Sequence, residues 1–558
     1  LGVETAAVVG GGTADTDFAG VNGMVSLSAK PYESLIKRGA QWVKVTLDNS
    51  IAERSASGLF VPERRSLRSI LTGLETVSQR SEVAGVAIVV ESNQLGWAQT
   101  GELRQAVDRL QARGKKVAFF LEDTSLKHAY LASAGDRTIV MPTAPYDPAG
   151  LTSDVITYGE TLTRVGIQAE FVRIGEYKSA PERFVRDTPS DPNLDQREAY
   201  VDALFETAVE GIADGRNKET DAVRSTIDSV PVLPDEAVEQ NYVDAIAYPD
   251  ELPGMIRQQL GASTLTPMSR FLQRRTRAWP AGPEVAVLYI DGSIIEGESG
   301  RTPLIGTLLS GSETLSKTID ELRTDPTVKA VVVRVDSPGG SAVASDLIYR
   351  DLRRLAAEKP VVASMGDIAA SGGYYVAAGA DEIYATPTTL TGSIGIFSGK
   401  FSLAGLFDRI GLAHEEIRRG ERAGEFGIFK PWTEGQRQRV SKSMHYLYRL
   451  FLEQAARTRP LSTQELDDLG RGRIWTGGRA AEKKLVDHRG GLIDAIRRAE
   501  SIAGLKEGRA RYRGYPQRRG LFARSDMGAA IKTVAGWFGG PRTSSPGLDR
   551  EVASRLRQ

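Results

Sequence analysis

The stretch "GDIAASGGYYVAAGAD" (366–381) sets one serine, Ser371, ahead of a Gly-Gly pair. A serine hydroxyl attacks a carbonyl only when a nearby base takes its proton. Histidine is the usual base, and the chain holds four: His128, His414, His445 and His488. A Ser-His-Asp arrangement is defined by geometry and not by chain order, so His414, just before a run expected to be a strand, stays open as the base. Cysteine is absent, which removes thiolate catalysis, disulfides and cysteine-bound metals together.

An internal repeat offers a different base. Val86, Val90 and Ser92 match Val331, Val335 and Ser337 at a fixed offset of 245 residues. Without a gap the same offset joins Tyr130 to Tyr375, Asp136 to Asp381, Pro142 to Pro387, Gly150 to Gly395 and Arg164 to Arg409. The chain therefore reads as two copies of one domain, and their differences are informative. Leu126, Lys127 and His128 stand opposite Ser371, Gly372 and Gly373, and "SNQL" (92–95) stands opposite "SPGG" (337–340). The first copy has no counterpart of the serine or of the glycines. In the other direction, Lys178 in "GEYKSA" stands opposite Ala423. A serine kept in one copy and a lysine in the other suggest one site shared between them.

The chemistry of such a pair is demanding but physical. A lysine amine is ordinarily protonated up to about pH 10.4, and lowering this to near 7 takes about 4 kcal/mol of differential destabilisation of the ammonium. Burial in an apolar, closed site supplies a term of that size. The oxyanion needs backbone N–H donors, best beside glycines that allow close approach. Gly339 or Gly340, with Gly372, are the candidates. The plain alternatives are an N-capping serine at a helix start, a solvated surface lysine and a structural turn at "SPGG". Tyr374 and Tyr375 read as packing residues.

The surrounding elements follow from periodicity. "VAGVAIVV" from Val83 and "AVVVRV" (330–335) are continuous apolar runs, expected as buried strands. "SETLSKTIDELRTD" (312–325) and "SDLIYRDLRRLAAE" (345–358) carry helical spacing, "PVVASM" and "EIYAT" read as strands, and a helix opens near Ser371. Alternation of strand and helix makes the class α/β. The expected divisions are an N-terminal segment at 1–40, a first repeat at 41–272 supplying the lysine, a second at 273–505 supplying the serine, and an Arg/Gly-rich, loosely packed tail at 506–558. Charges balance, with 71 basic and 71 acidic residues, so net charge gives no reason to expect a nucleic-acid partner. No apolar run reaches membrane-spanning length, and the chain begins with Leu1 rather than methionine. "MGAAIKTVAGWFGG" (527–540) is amphipathic, a core or tail helix or a stretch able to lie on a membrane surface.

Five motifs in this order, "RIGEYKSAPERF", "RVDSPGGSAVASD", "GDIAASGGYYVAAGAD", "TGSIGIF" and "GRIWTGGRAAEKKLVD", resemble the signal peptide peptidase A family in its long, duplicated form, also called protease IV. The resemblance runs from about residue 40 to 500. It implies a serine endopeptidase with a Ser/Lys dyad, Ser371 as nucleophile and Lys178 as general base, with Ser393 in "TGSIG" helping to hold the lysine amine. It implies a tandem duplicated Clp/crotonase-like superhelix of strand-strand-helix units, and no cofactor or metal. The implied substrates are peptides, remnant signal peptides among them. The implied assembly is a homo-oligomer, a tetramer in the long form, membrane-associated with its catalytic part on the extracytoplasmic side. The family usually carries an N-terminal anchor, and none is read in these residues. Two other readings are weighed: a crotonase-type acyl-thioester enzyme using the glycine N–H groups for an enolate, and a non-catalytic scaffold.

Overall fold

Apolar runs too long to alternate in and out form the buried strands at the centre of each repeat. In the computed structural model, residues 2–7, 23–28, 40–49, 51–54, 56–58, 61–92, 95–261, 264–272, 282–302, 306–420 and 422–517 are described. The amphipathic stretch at 527–540, most of the 1–40 segment and most of the junction between the repeats lie outside them.

The first repeat is built on a six-stranded parallel sheet. Its order is Ala245–Ile246, Arg137–Val140, Lys116–Leu121, Val83–Val90, Gln41–Leu47, Thr264–Pro267. The second repeat repeats that core with Glu382–Ala385, Val361–Ala370, Val328–Ser337, Glu284–Asp291 and Arg511–Tyr515. Strand Ile474–Thr476 adds to it antiparallel, beside Leu390–Gly392. The offset of 245 survives in three dimensions. Helices Gly159–Arg164 and Ala404–Arg409 begin and end at matched positions. Asp136 accepts the Val117 N–H at 2.8 Å, and its counterpart Asp381 accepts the Val361 N–H at 3.0 Å. The architecture is the tandem α/β duplication expected from the sequence.

Two local expectations are corrected. The tail expected from about Lys506 is not loosely packed at its start. Arg511–Tyr515 joins the sheet parallel to Glu284–Leu288, as Thr264–Pro267 joins Gln41–Lys44 in the first repeat. The arginines that suggested disorder flank the buried carboxylate of Glu284, with Arg511 at 3.4 Å and Arg513 at 3.7 Å, and Tyr515 donates to it at 2.7 Å. The strand expected after His414 is also absent: residues 411–420 are irregular. Its first-repeat counterpart, Gln168–Ile174, pairs antiparallel with Ile396–Ser402 of the second repeat, and that edge is thereby satisfied across the duplication.

The repeats share one interior. Leu492, Ile493 and Ile496 of helix Leu492–Ile502 pack into the core of the first repeat. At the seam Arg334 is fully buried, its Nε 2.6 Å from Glu53 and its Nη1 2.6 Å from Glu102. Ser364 Oγ and the Met365 carbonyl accept further bonds from Arg334, and Glu102 also accepts the Leu492 N–H. A buried ion group is tolerated only when its partners and hydrogen bonds are complete, as they are here. Asp367 accepts the N–H groups of Ala98 (2.8 Å) and Gln99 (3.3 Å), closing the start of helix Trp97–Ala112 from the opposite repeat.

Candidate active site

Ser371 stands where strand Val361–Ala370 turns into helix Gly372–Ala377. Its φ is +56° and its ψ −118°, a conformation that L-residues adopt only when their surroundings impose it, at a cost of order 1–3 kcal/mol. The imposition is visible: Ser371 N–H donates to the Gly392 carbonyl at 2.9 Å, and the Ser371 carbonyl accepts from Tyr375 N–H at 2.9 Å. The side chain makes no capping bond to its helix. The N-cap alternative therefore fails, and the hydroxyl is turned toward Lys178.

Lys178 follows strand Gln168–Ile174 through a tight loop. Gly472 is needed there: its φ is +83°, and a Cβ on it would lie 2.3 Å from the Lys178 nitrogen. The lysine is 3% exposed. Its Nζ lies 2.9 Å from Ser371 Oγ, 2.9 Å from Ser393 Oγ and 2.9 Å from the Ser393 carbonyl. Burial lowers its pKa to about 7. An ammonium donates all three of these bonds. A neutral amine has two N–H groups and one lone pair, so the Ser393 carbonyl and hydroxyl can take the two donors while the lone pair faces the Ser371 hydroxyl. Ser393 is itself held in the left-handed region at φ +50°, with its N–H donated to the Arg473 carbonyl at 2.7 Å. All these residues lie in one chain. The partner of the Ser371 hydroxyl is this lysine; His414, the histidine considered for that place, stacks on Phe429 at 3.7 Å.

The glycine candidates divide. Gly339 donates its N–H to Ser337 Oγ at 3.1 Å, so that donor is already engaged. Gly340 remains: the loop is fixed by strand Ser293–Ile295, where the Ile294 carbonyl accepts Ser341 N–H at 2.8 Å and Ile294 N–H donates to the Gly339 carbonyl at 2.9 Å. A Cβ at Gly340 would fall 2.0 Å from the Ile294 oxygen. A Cβ at Gly372 would lie 3.2 Å from the Gly340 nitrogen, so these two backbone positions border the same corner beside Ser371.

An apolar pocket of about 150 Å³ opens beside Ser371 and Gly372. Val343, Leu347, Ile396, Leu450, Phe451 and Tyr375 line it. Tyr374 is a packing residue as expected, fully buried with its hydroxyl donated to the Leu485 carbonyl. Tyr375 does more than pack. It stacks on Phe451 at 4.4 Å, donates to Asp346 at 2.7 Å and forms a wall of the pocket. Helix Glu434–Ala456, which brings Leu450 and Phe451, and the Ile294 strand were not found from the sequence, because neither carries a chemical motif. Among the described residues no helix is long and apolar enough to cross a membrane.

Duplicated α/β repeats with a serine beside an apolar pocket are the construction of a serine-type peptidase. The chain belongs to peptidase family S49, whose model matches it twice, at residues 109–262 and 353–506, as the long, duplicated form requires. It is 30% identical to the chloroplast serine protease SPPA of Arabidopsis thaliana over 82% of this chain and 68% of that protein. It is 29% identical to Protease 4 of Salmonella typhi, over 80% of this chain and 73% of that one. Protease 4 of Haemophilus influenzae is 26% identical over 81% of this chain and 75% of its own. Among solved structures, a mutant ClpP1 of Listeria monocytogenes aligns at 14% identity with a TM-score of 0.25, over 38% of this chain and 94% of that one. A membrane-bound stomatin-specific protease aligns at 15% identity with a TM-score of 0.27, over 43% of this chain and all of the other.

Proposed function

We propose that the protein is an endopeptidase in which Ser371 is the nucleophile and Lys178 its general base. The observation that carries this reading is the 2.9 Å approach of a buried amine to a strained serine hydroxyl. As Ser371 Oγ bonds to the scissile carbonyl carbon, its proton passes to the Lys178 lone pair, and the carbonyl electrons move onto oxygen, where Gly340 and Gly372 N–H groups receive them. The lysine ammonium then gives that proton to the leaving nitrogen as the C–N bond breaks, leaving an acyl-Ser371 ester. Water attacks the ester, gives its proton to Lys178, and the ammonium returns it to Ser371 Oγ. Ser393 orients the amine throughout by accepting its N–H bonds.

The apolar pocket favours peptides with a hydrophobic side chain before the cut, and remnant signal peptides are the substrate class that fits both this pocket and the family. The first repeat, 41–272, supplies the base, and the second, from 273 through the strand ending at Tyr515, supplies the nucleophile. We further propose a homo-oligomer, a tetramer, associated with a membrane on its extracytoplasmic side. Ile410, Leu412 and Ile417, exposed just after helix Ala404–Arg409, are suited to such contacts. The acyl-thioester reading finds no support beside a serine already paired with a base.

The test is cleavage of a fluorogenic hydrophobic peptide by Ser371→Ala and Lys178→Ala, with mass spectrometry for an acyl adduct on Ser371. Wild-type turnover in either folded variant overturns the assignment.

A further inference from the structure

We propose that Gln196 is a positioning residue for the base, a buried strut that holds the Lys178 loop against the strand next to Ser393. Gln196 is 6% exposed, near the start of helix Asp191–Arg216. Its Nε2 donates to the Tyr177 carbonyl at 3.0 Å and to Ser179 Oγ at 3.0 Å, the residues directly before and after Lys178. Its Oε1 accepts the Ile474 N–H at 3.1 Å. Ile474 pairs with Gly392, whose neighbour Ser393 carries two of the lysine's three acceptors. One side chain thus ties both flanks of the base to the strand that pairs beside Ser393, using both amide hydrogens and the oxygen.

Gln196 is also part of a wall. A cavity of about 290 Å³ is lined by it together with Tyr177, Tyr200, Arg473 and Trp475. It shares no lining residue with the apolar pocket. It is roomy enough for several waters, each occupying about 30 Å³ of liquid volume. Burial is what lowers the Lys178 pKa, so hydration through this wall would return the amine toward its ordinary value. The charged groups around the loop are Arg173, bonded to the Lys178 carbonyl and paired with Glu182; Arg471, 3.7 Å from Glu176; Arg473, stacked 3.8 Å over Tyr177; and Asp195 and Arg479 on the cavity. Replacing Gln196 with a neutral residue alters none of these charges, so a displaced pH profile would report hydration and loop position.

This inference rests on the reading of Lys178 as the base, and the experiment separates the two. The dependence of kcat/KM on pH is measured for wild type, Gln196→Ala and Gln196→Glu on the same hydrophobic peptide. Gln196→Glu keeps the size and the acceptor for Ile474 but loses both donors and adds a carboxylate. The acid limb is expected to move up by about one pH unit in Gln196→Ala, an approximately tenfold loss at pH 6.5 that recovers at pH 9.5, and further in Gln196→Glu. KM is expected to stay within about twofold, because the apolar pocket is untouched. A loss that is constant across pH, a change confined to KM, or failure of both variants to fold overturns the positioning role. If Lys178→Ala remains active, the base assignment fails; if it is dead while the Gln196→Ala profile superimposes on wild type, only the strut fails.

Discussion

Ile174 pairs with Ile396 in antiparallel register, across the duplication. Four residues beyond the first lies Lys178, and three residues before the second lies Ser393. In an antiparallel pair these continuations run past each other on the same side, so the pairing of two edge strands carries the amine to the serine that holds it. Ser371, bonded through its N–H to Gly392, comes with Ser393. The site is thus a product of strand register, and register is strict because a slip of one residue turns every side chain to the other face.

Activity should rise with pH through about 7. With Lys178 as the proposed base, burial lowers its pKa, so below that value it would be the ammonium and could not accept the Ser371 proton. The expected kcat/KM profile has an acid limb near pH 7. Lys178→Arg should be inactive at every pH, a loss of roughly 10³-fold or more, because a guanidinium stays protonated. A profile without an acid limb between pH 6 and 8 would contradict this.

On the proposed reading, the pocket sets side-chain preference. Leu450→Trp should fill part of the 150 Å³ beside Ser371. Peptides with leucine or phenylalanine before the cut should lose about 10-fold or more in kcat/KM, while those with alanine keep most of theirs. Competition between the two substrate types in one reaction measures the ratio directly.

The seam between repeats should be brittle to a single change. Arg334→Met leaves Glu53 and Glu102 buried without their cation, at an expected cost of about 3–5 kcal/mol. Adding Glu53→Leu and Glu102→Leu to it should recover most of that loss. Chemical denaturation of the single and triple variants distinguishes a charge effect from loss of packing.

Asp291 should destabilise the protein at neutral and alkaline pH. Burial raises its pKa to about 8, and its Oδ1 has no hydrogen-bond partner. The folded state therefore prefers the protonated form. The favourable contribution is complete below the unfolded value near 3.9 and is lost as pH rises through about 8. Asp291→Asn is expected to raise stability by more than about 1 kcal/mol at pH 8 relative to pH 5. Melting curves of both proteins across that range check the sign.

The duplication and the α/β class were legible in the residues, because buried strands show as apolar runs; the pairing of Ser371 with Lys178 was suggested by differences between the copies, and Ser393 came only from the resemblance. Other parts were not. Gly339 and Gly340 are indistinguishable in "SPGG", and only the Ser337 hydroxyl, by taking one N–H, tells them apart. The strand after His414 has a good template in the first copy, yet that template is held by its pairing with Ile396–Ser402, and residues 411–420 are irregular. Arg511–Tyr515 looks like a tail until Glu284 supplies the buried charge its arginines need. Residue types alone determined which groups could react, since pKa range, nucleophilicity and backbone freedom belong to single residues. Tertiary structure decided which of them meet and how dry the meeting place is. Both depend on strand pairing and burial over separations such as the 193 residues between Lys178 and Ser371, which local sequence does not encode.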